Sequence, residues 1–158
     1  MKNHLTKILI LSILYIFSLP AFIYAGTQHS IGVDLIRTVD QAQYDALFNI
    51  NYQFSLNQQS AVVSSLSTDS DVTIGEVAYK YYFEKYFDGP FAQVGFNVGD
   101  YDGDTEIGIS GSVGYEKSIV RHLVISCAIE AVVGTMDHPS TGDRDPLFRP
   151  ILNVVFAF

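Results

Sequence analysis

Strict alternation of apolar and polar residues is the feature that most limits what this 158-residue chain can become. Over residues 48–56, Phe48, Ile50, Tyr52, Phe54 and Leu56 interleave with Asn49, Asn51, Gln53 and Ser55. A period of two puts the first set on one face of a β-strand and the second on the other. The pattern returns in Ala92, Val94, Phe96 and Val98 against Gln93, Gly95, Asn97 and Gly99, and in Ile107, Ile109, Val113 and Tyr115 against Gly108, Ser110, Ser112, Gly114 and Glu116. It returns again in Leu123, Ile125, Cys127, Ile129, Ala131 and Val133, opposed by Ser126, Ala128 and Glu130. Residues 31–37 and 72–83 add two more strands, the second setting Val77, Tyr79, Tyr81 and Phe83 against Glu76, Ala78 and Lys80. Residues 149–158 carry Leu152, Val154, Phe156 and Phe158 on one face. Residues 60–68 keep no single parity among Val62, Val63 and Leu66, and are expected as a strand because hairpin connectivity requires one there. No helical period competes, so the expectation is an all-β fold of eight antiparallel strands.

The connections alternate in character. Residues 56–60, 84–89 and 117–122 are short turns, whereas 38–43, 69–71, 100–105 and 135–148 hold most of the Asp and turn residues. With both ends of the chain on the short-turn side, an even number of strands closes consistently as an up-and-down barrel. Strands of about 9 to 12 residues are long enough to cross a bilayer at a tilt.

Periodicity defines two faces but not which one looks outward. Charged residues make up only 16% of the chain and the mean hydropathy is +0.21, where ordinary soluble domains carry roughly 25% charged residues. The polar faces are built from Asn, Gln, Ser and Gly rather than the Lys, Glu and Thr of a wetted strand surface. Small polar residues suit the crowded lumen of an eight-stranded barrel. Aromatic residues also gather near the strand ends, Tyr44 and Phe48 at one rim and Tyr79, Tyr81, Tyr82, Phe83, Tyr86 and Phe87 at the other, in the manner of the two interfacial girdles of membrane barrels. The expectation is therefore a transmembrane β-barrel, apolar side out. A soluble lipocalin-like barrel with an apolar, ligand-binding interior is the alternative arrangement of the same faces.

The first residues read as an export signal. Lys2 and Lys7 precede an apolar run over residues 8–17, Leu19-Pro20 breaks it, and cleavage is expected after Ala25. That run is too short for a spanning helix, which needs about 20 residues. The barrel domain is then expected over residues 26–158, with seven basic against 17 acidic side chains. Such an acidic balance, without a Lys/Arg stripe, argues against a nucleic-acid partner. Cys127 is alone, so no intramolecular disulfide is possible; its parity with Ile125 and Ile129 marks it as one more outward apolar side chain.

The final run, Ile151-Leu152-Asn153-Val154-Val155-Phe156-Ala157-Phe158, alternates and ends in Phe. In this the chain resembles bacterial outer-membrane barrels, most closely the small eight-stranded OmpA/OmpX-like class. The resemblance implies a monomer in the outer membrane of a Gram-negative bacterium, in contact with lipid and lipopolysaccharide. It also implies that Phe156 and Phe158 form the signal read by the barrel-assembly machinery. The class includes adhesins, structural barrels and lipid-modifying enzymes, so the fold does not fix an activity. A structural or surface-interaction role without a cofactor is the expectation. A general porin is excluded by an interior that side chains fill.

Candidate sites follow from the facing. Asp34, Asn49, Asn51, Gln53, Glu76, Lys80, Gln93, Asn97, Ser110, Ser112, Glu130 and Asn153 are expected to point inward, with Asp34, Asn51, Glu76, Lys80, Glu130 and Asn153 as a polar lumen network. Burying Asp34, Glu76 and Glu130 is costly unless Lys80, amides or water satisfy them. Glu76 and Lys80 stand roughly 13 Å apart on one strand face, so pairing across strands is expected. Asp100, Asp102, Asp104 and Glu106 place four carboxylates on one turn and form a candidate cation-binding loop, since calcium takes oxygen ligands. The spacing departs from an EF-hand, with Gly103 early and Gly111 at the twelfth position. Asp69, Asp71, Asp137, Asp143 and Asp145 extend the acidic surface toward lipopolysaccharide phosphates bridged by divalent cations. His138-Pro139-Ser140 shares the His-x-Ser of outer-membrane lipid A deacylases, but those residues lie on a strand in that family, and Pro139 would interrupt one. An enzyme is thus not expected, and a lipid A deacylase-like activity stands as an alternative.

Overall fold

Eight segments with one wet and one dry face can satisfy both faces at once only by closing on themselves, which also leaves no unpaired strand edge. The computed structural model describes residues 29–39, 47–69, 72–101, 104–134 and 146–158. The expected leader, Asp102 and the His138-Pro139-Ser140 segment lie outside them, as do Tyr44, Asp71, Asp137, Asp143 and Asp145. The described chain runs β1 (His29–Asp34), α1 (Leu35–Val39), β2 (Phe48–Asn57), β3 (Ser60–Thr68), β4 (Val72–Tyr82), β5 (Asp88–Tyr101), β6 (Asp104–Val120), β7 (Leu123–Val133) and β8 (Leu147–Ala157). Each strand pairs antiparallel with its sequence neighbours, and β1 closes on β8 with Ile31 opposite Phe156 and Asp34 opposite Asn153. The fold is an eight-stranded, closed, up-and-down antiparallel barrel.

Every strand keeps the expected faces. On β5, Val94 and Phe96 are exposed while Asn97 and Gly95 are buried; on β6, Ile107, Ile109 and Val113 are exposed while Ser110 and Ser112 are buried. β3 resolves its mixed parity in the same way. Its inward residues are Ala61, Val63, Ser65 and Ser67, which stand opposite Lys80, Ala78, Glu76 and Ile74 of β4. Val62, Ser64 and Leu66 face out, so Val63 is the apolar residue that broke the pattern.

Three strands depart from the expected 9 to 12 residues. β1 has six, because Asp34 ends it: the Asp34 carboxylate accepts the Ile36 N–H at 3.0 Å and so caps α1, which replaces the strand expected through Arg37. A single helical turn is too short to show a period in sequence. β5 and β6 run to 14 and 17 residues. They absorb Asp100, Asp104 and Glu106 into strands and shrink the turn after β6 to Arg121 and His122.

The aromatic rim at the end holding His29 and Phe158, here the terminal mouth, divides in two. Tyr79, Tyr81 and Phe83 face out as expected, but Tyr82 and Phe87 are buried within the barrel end and do not belong to an outward girdle. The turn between β4 and β5 folds over this mouth, tied by Tyr86 N–H to the Gln58 carbonyl at 2.8 Å. It packs Phe87 against Val124, Val155 and Ala157, and Tyr86 against Phe87 with ring centroids 4.0 Å apart.

Candidate functional site

The lumen holds two buried ion pairs at different heights. Nearer the terminal mouth, Lys80 of β4 pairs with Glu116 of β6, and their side chains are 4% and 1% exposed. The alternation of β4 sends Lys80 and Tyr82 inward, that of β2 sends Gln53 inward, and the three meet Glu116 in a closed ring of contacts. Lys80 Nζ also donates to Gln53 Oε1 at 3.3 Å, Gln53 Nε2 donates to the Tyr82 hydroxyl at 2.6 Å, and that hydroxyl donates to Glu116 Oε2 at 2.6 Å. Phe91 of β5 lies under the ammonium, 3.8 Å from Nζ to the ring centroid. Each polar atom in the ring meets a complementary one, which is the condition under which buried charges persist.

Higher in the barrel, Glu130 of β7 pairs with Arg149 of β8, its direct cross-strand partner in register. Glu76 has no such cation among the described residues. It accepts from Ser110 Oγ at 2.7 Å and from Ser65 Oγ at 3.5 Å. To reach Ser110 it crosses β5 at Gly95, where a Cβ would lie 2.9 Å from Glu76 Oε1 and 2.8 Å from the Ala78 Cβ. Asn51 does the same on the other side. It crosses β1 at Gly32 and donates from Nδ2 to Asn153 Oδ1 of β8 at 3.2 Å, and a Cβ on Gly32 would lie 2.6 Å from Asn51 Oδ1. Two inward glycines therefore give long polar side chains passage over an intervening strand.

Where β1 ends, Asp34 serves the backbone. Beyond its cap on α1 it accepts the Leu152 N–H at 3.2 Å, while Asn49 Oδ1 accepts the Asp34 N–H at 2.6 Å and Asn49 Nδ2 donates to the Asp34 carbonyl at 2.8 Å. Arg37 extends from α1 across the barrel and donates from a terminal guanidinium nitrogen to Ser67 Oγ at 2.5 Å. The space left among these groups is a cavity of about 60 Å³ between the two ion pairs. That is room for roughly two waters. Ser126 Oγ borders this cavity and, with Ser30 Oγ, is buried without a hydrogen-bond partner among the described residues.

All six residues expected in the lumen network face the interior, but not as one network. Lys80 joins Glu116, Glu130 joins Arg149, Asn51 joins Asn153, Glu76 is held by serines, and Asp34 belongs to the cap. Glu116 and Arg149, the charge partners, were missing from the expected set. Both could have been found by parity, Glu116 with Ser110 and Ser112 and Arg149 with Asn153. The candidate cation loop is split by register: Asp100 stands opposite Thr105, Glu106 opposite Gly99, and Asp104 opposite Tyr101. Alternation therefore puts Asp100 on the face opposite Asp104 and Glu106. Among the described residues no three His, Cys, Asp or Glu side chains gather as a metal site. Phe156 faces out against the His122 ring, and Phe158 stacks on His29 with centroids 6.0 Å apart. Cys127 is exposed on the apolar exterior, as its parity required.

No family model, curated protein or solved structure matches the chain.

Proposed function

We propose that this chain is an outer-membrane β-barrel of a Gram-negative bacterium, exported by the leader over residues 1–25, with a structural or surface-interaction role. One observation carries the reading: the polarity of the barrel is inverted relative to a water-soluble protein. Phe96 and Ile107 on the exterior are 71% and 73% exposed, and Val94, Val113 and Ile129 continue the band, while Lys80, Glu116 and Glu130 are buried inside. An apolar belt of this size in water would drive association, whereas hydrocarbon solvates it and a closed barrel exposes no unsatisfied backbone to it. Tyr79, Tyr81 and Phe83 at one rim and Phe48 at the other fit the interfacial positions of such a belt. A filled, polar lumen is of no use to an apolar ligand and too small for solute passage, which disfavours a lipocalin-like carrier and a porin alike.

On this reading lipid and lipopolysaccharide are the immediate partners, with Phe156 and Phe158 presented to the assembly machinery. Fractionation with heat-modifiable gel migration tests it. The expected result is recovery in the outer-membrane fraction and a folded form that migrates apart from the boiled one. Recovery in solution without detergent would overturn it. Lipid A from cells with and without the protein, compared by mass spectrometry, is expected to be identical; a lost acyl chain would favour deacylation instead.

A further inference from the structure

The terminal mouth carries a second cavity, open to solvent and about 490 Å³ in volume. Its floor is the apolar plug seen from outside, Phe87 with Val124 and Ala157, and its walls carry Lys85, Arg121 and His122. Phe87 holds a φ of 65°, a left-handed conformation that a bulky residue keeps only when its surroundings impose it. Here the ring is buried and the Phe87 carbonyl accepts the Ser118 N–H at 3.0 Å. The turn between β4 and β5 and the turn between β6 and β7 are thereby locked side by side, and their cationic residues face one space.

The charges of that space do not cancel. Asp88 is the one acidic side chain among the described lining residues, and it is already engaged: Lys117 Nζ lies 2.6 Å from one carboxylate oxygen and Lys85 Nζ 3.3 Å from the other. The hydrogen bond from Lys117 holds the Asp88 carboxyl below the usual carboxylate range, so it stays ionised. Glu84 of the same turn is a second carboxylate acting on Lys117, so the two ammonium groups are matched and the uncompensated charge of the space is that of Arg121. Arg121 has no acidic partner among the described residues. His122 spends Nδ1 on the Ala157 carbonyl at 2.9 Å, which leaves Nε2 as its remaining polar atom. Among the described residues the exposed charge at the opposite end is acidic, Asp104.

We propose that the cavity bounded by Lys85, Arg121 and His122 over the Phe87 floor binds a phosphate group, carried by a phospholipid headgroup or free in solution. A guanidinium fork, an ammonium and an imidazole edge around one space match an anion with several charged oxygens, and Arg holds phosphate through two parallel N–H donors. The apolar floor gives the glycerol and first methylenes of a headgroup a surface that inorganic phosphate does not use. The site rests on the barrel fold and not on the outer-membrane reading, so either can fail alone.

The test uses the full chain folded in maltoside micelles, which contain no phosphate, and follows the Arg121 side-chain Nε–H and His122 ring signals by NMR. The probes are inorganic phosphate and dihexanoyl phosphatidic acid, with dihexanoyl glycerol as the uncharged control. Saturable shifts with both phosphates mark a general phosphate site; shifts with phosphatidic acid alone mark a headgroup site. In either case Arg121→Gln and Lys85→Gln are expected to weaken binding about tenfold or more each, with heat-modifiable migration unchanged to show that the barrel has folded. Absence of saturation with either phosphate, equal response to dihexanoyl glycerol, or undiminished binding by Arg121→Gln would overturn the proposal.

Discussion

Lys80 passes over β5 to pair with Glu116 on β6, and leaves Glu76, the carboxylate on its own strand face, to the hydroxyls of Ser110 and Ser65. The strand spacing of Lys80 and Glu76 forbids their contact, while barrel closure brings β4 and β6 within reach above the Phe91 ring. The stability of the lumen follows from this choice of partner.

Removing one member of the pair strands the other charge in the interior. Glu116→Gln and Lys80→Met are each expected to destabilise the folded barrel by about 3–5 kcal/mol, with the double variant recovering most of that loss. Urea unfolding in detergent, followed by near-ultraviolet dichroism of the tyrosines, measures the cycle. Additive losses would mean that the two side chains do not depend on each other.

The glycines of the interior differ from those outside. A Cβ at position 95 meets the Ala78 Cβ at 2.8 Å and Ser110 Oγ at 2.9 Å, whereas one at position 75 meets nothing within 4 Å. Gly95→Ala is expected to cost about 1–3 kcal/mol through overpacking, and Gly75→Ala to leave stability unchanged or raise it slightly. The temperature at which unboiled samples lose their folded gel mobility ranks the two.

Val94 lies midway along β5 on the apolar exterior. If hydrocarbon surrounds it, Val94→Arg destabilises the barrel in phospholipid vesicles by about 2–4 kcal/mol. A soluble barrel would tolerate the same change, so equal stability of the variant in vesicles counts against the bilayer reading.

Phe158 closes the barrel seam, its N–H donating to the His29 carbonyl at 2.8 Å and its carbonyl accepting the His29 N–H at 3.1 Å. Phe158→Ala keeps both bonds. It is expected to lower the amount of assembled protein in cells while the purified variant refolds in detergent as the original does. A refolding defect of equal size would assign Phe158 a packing role instead of a signal.

Most of the architecture was legible because an alternating strand announces its faces residue by residue. The positions of β2, β4, β5, β6, β7 and β8, their up-and-down order and the inward set from Asn49 to Asn153 all follow from parity and from turn residues. Parity also placed Cys127 outside. Less legible was β3, where Val63 points inward among serines, and α1, a single turn fixed by the Asp34 cap rather than by any period.

The sequence by itself determined which side chains face in, because a period of two leaves a strand no other choice once one face is set. Only the tertiary structure decided which of them meet. Closure and strand tilt bring together residues of non-adjacent strands, so Lys80 finds Glu116 across β5 and Asn51 finds Asn153 across β1, at distances no one-dimensional spacing encodes. The same closure put Tyr82 and Phe87 inside the barrel end, where the chain alone shows only a cluster of aromatics.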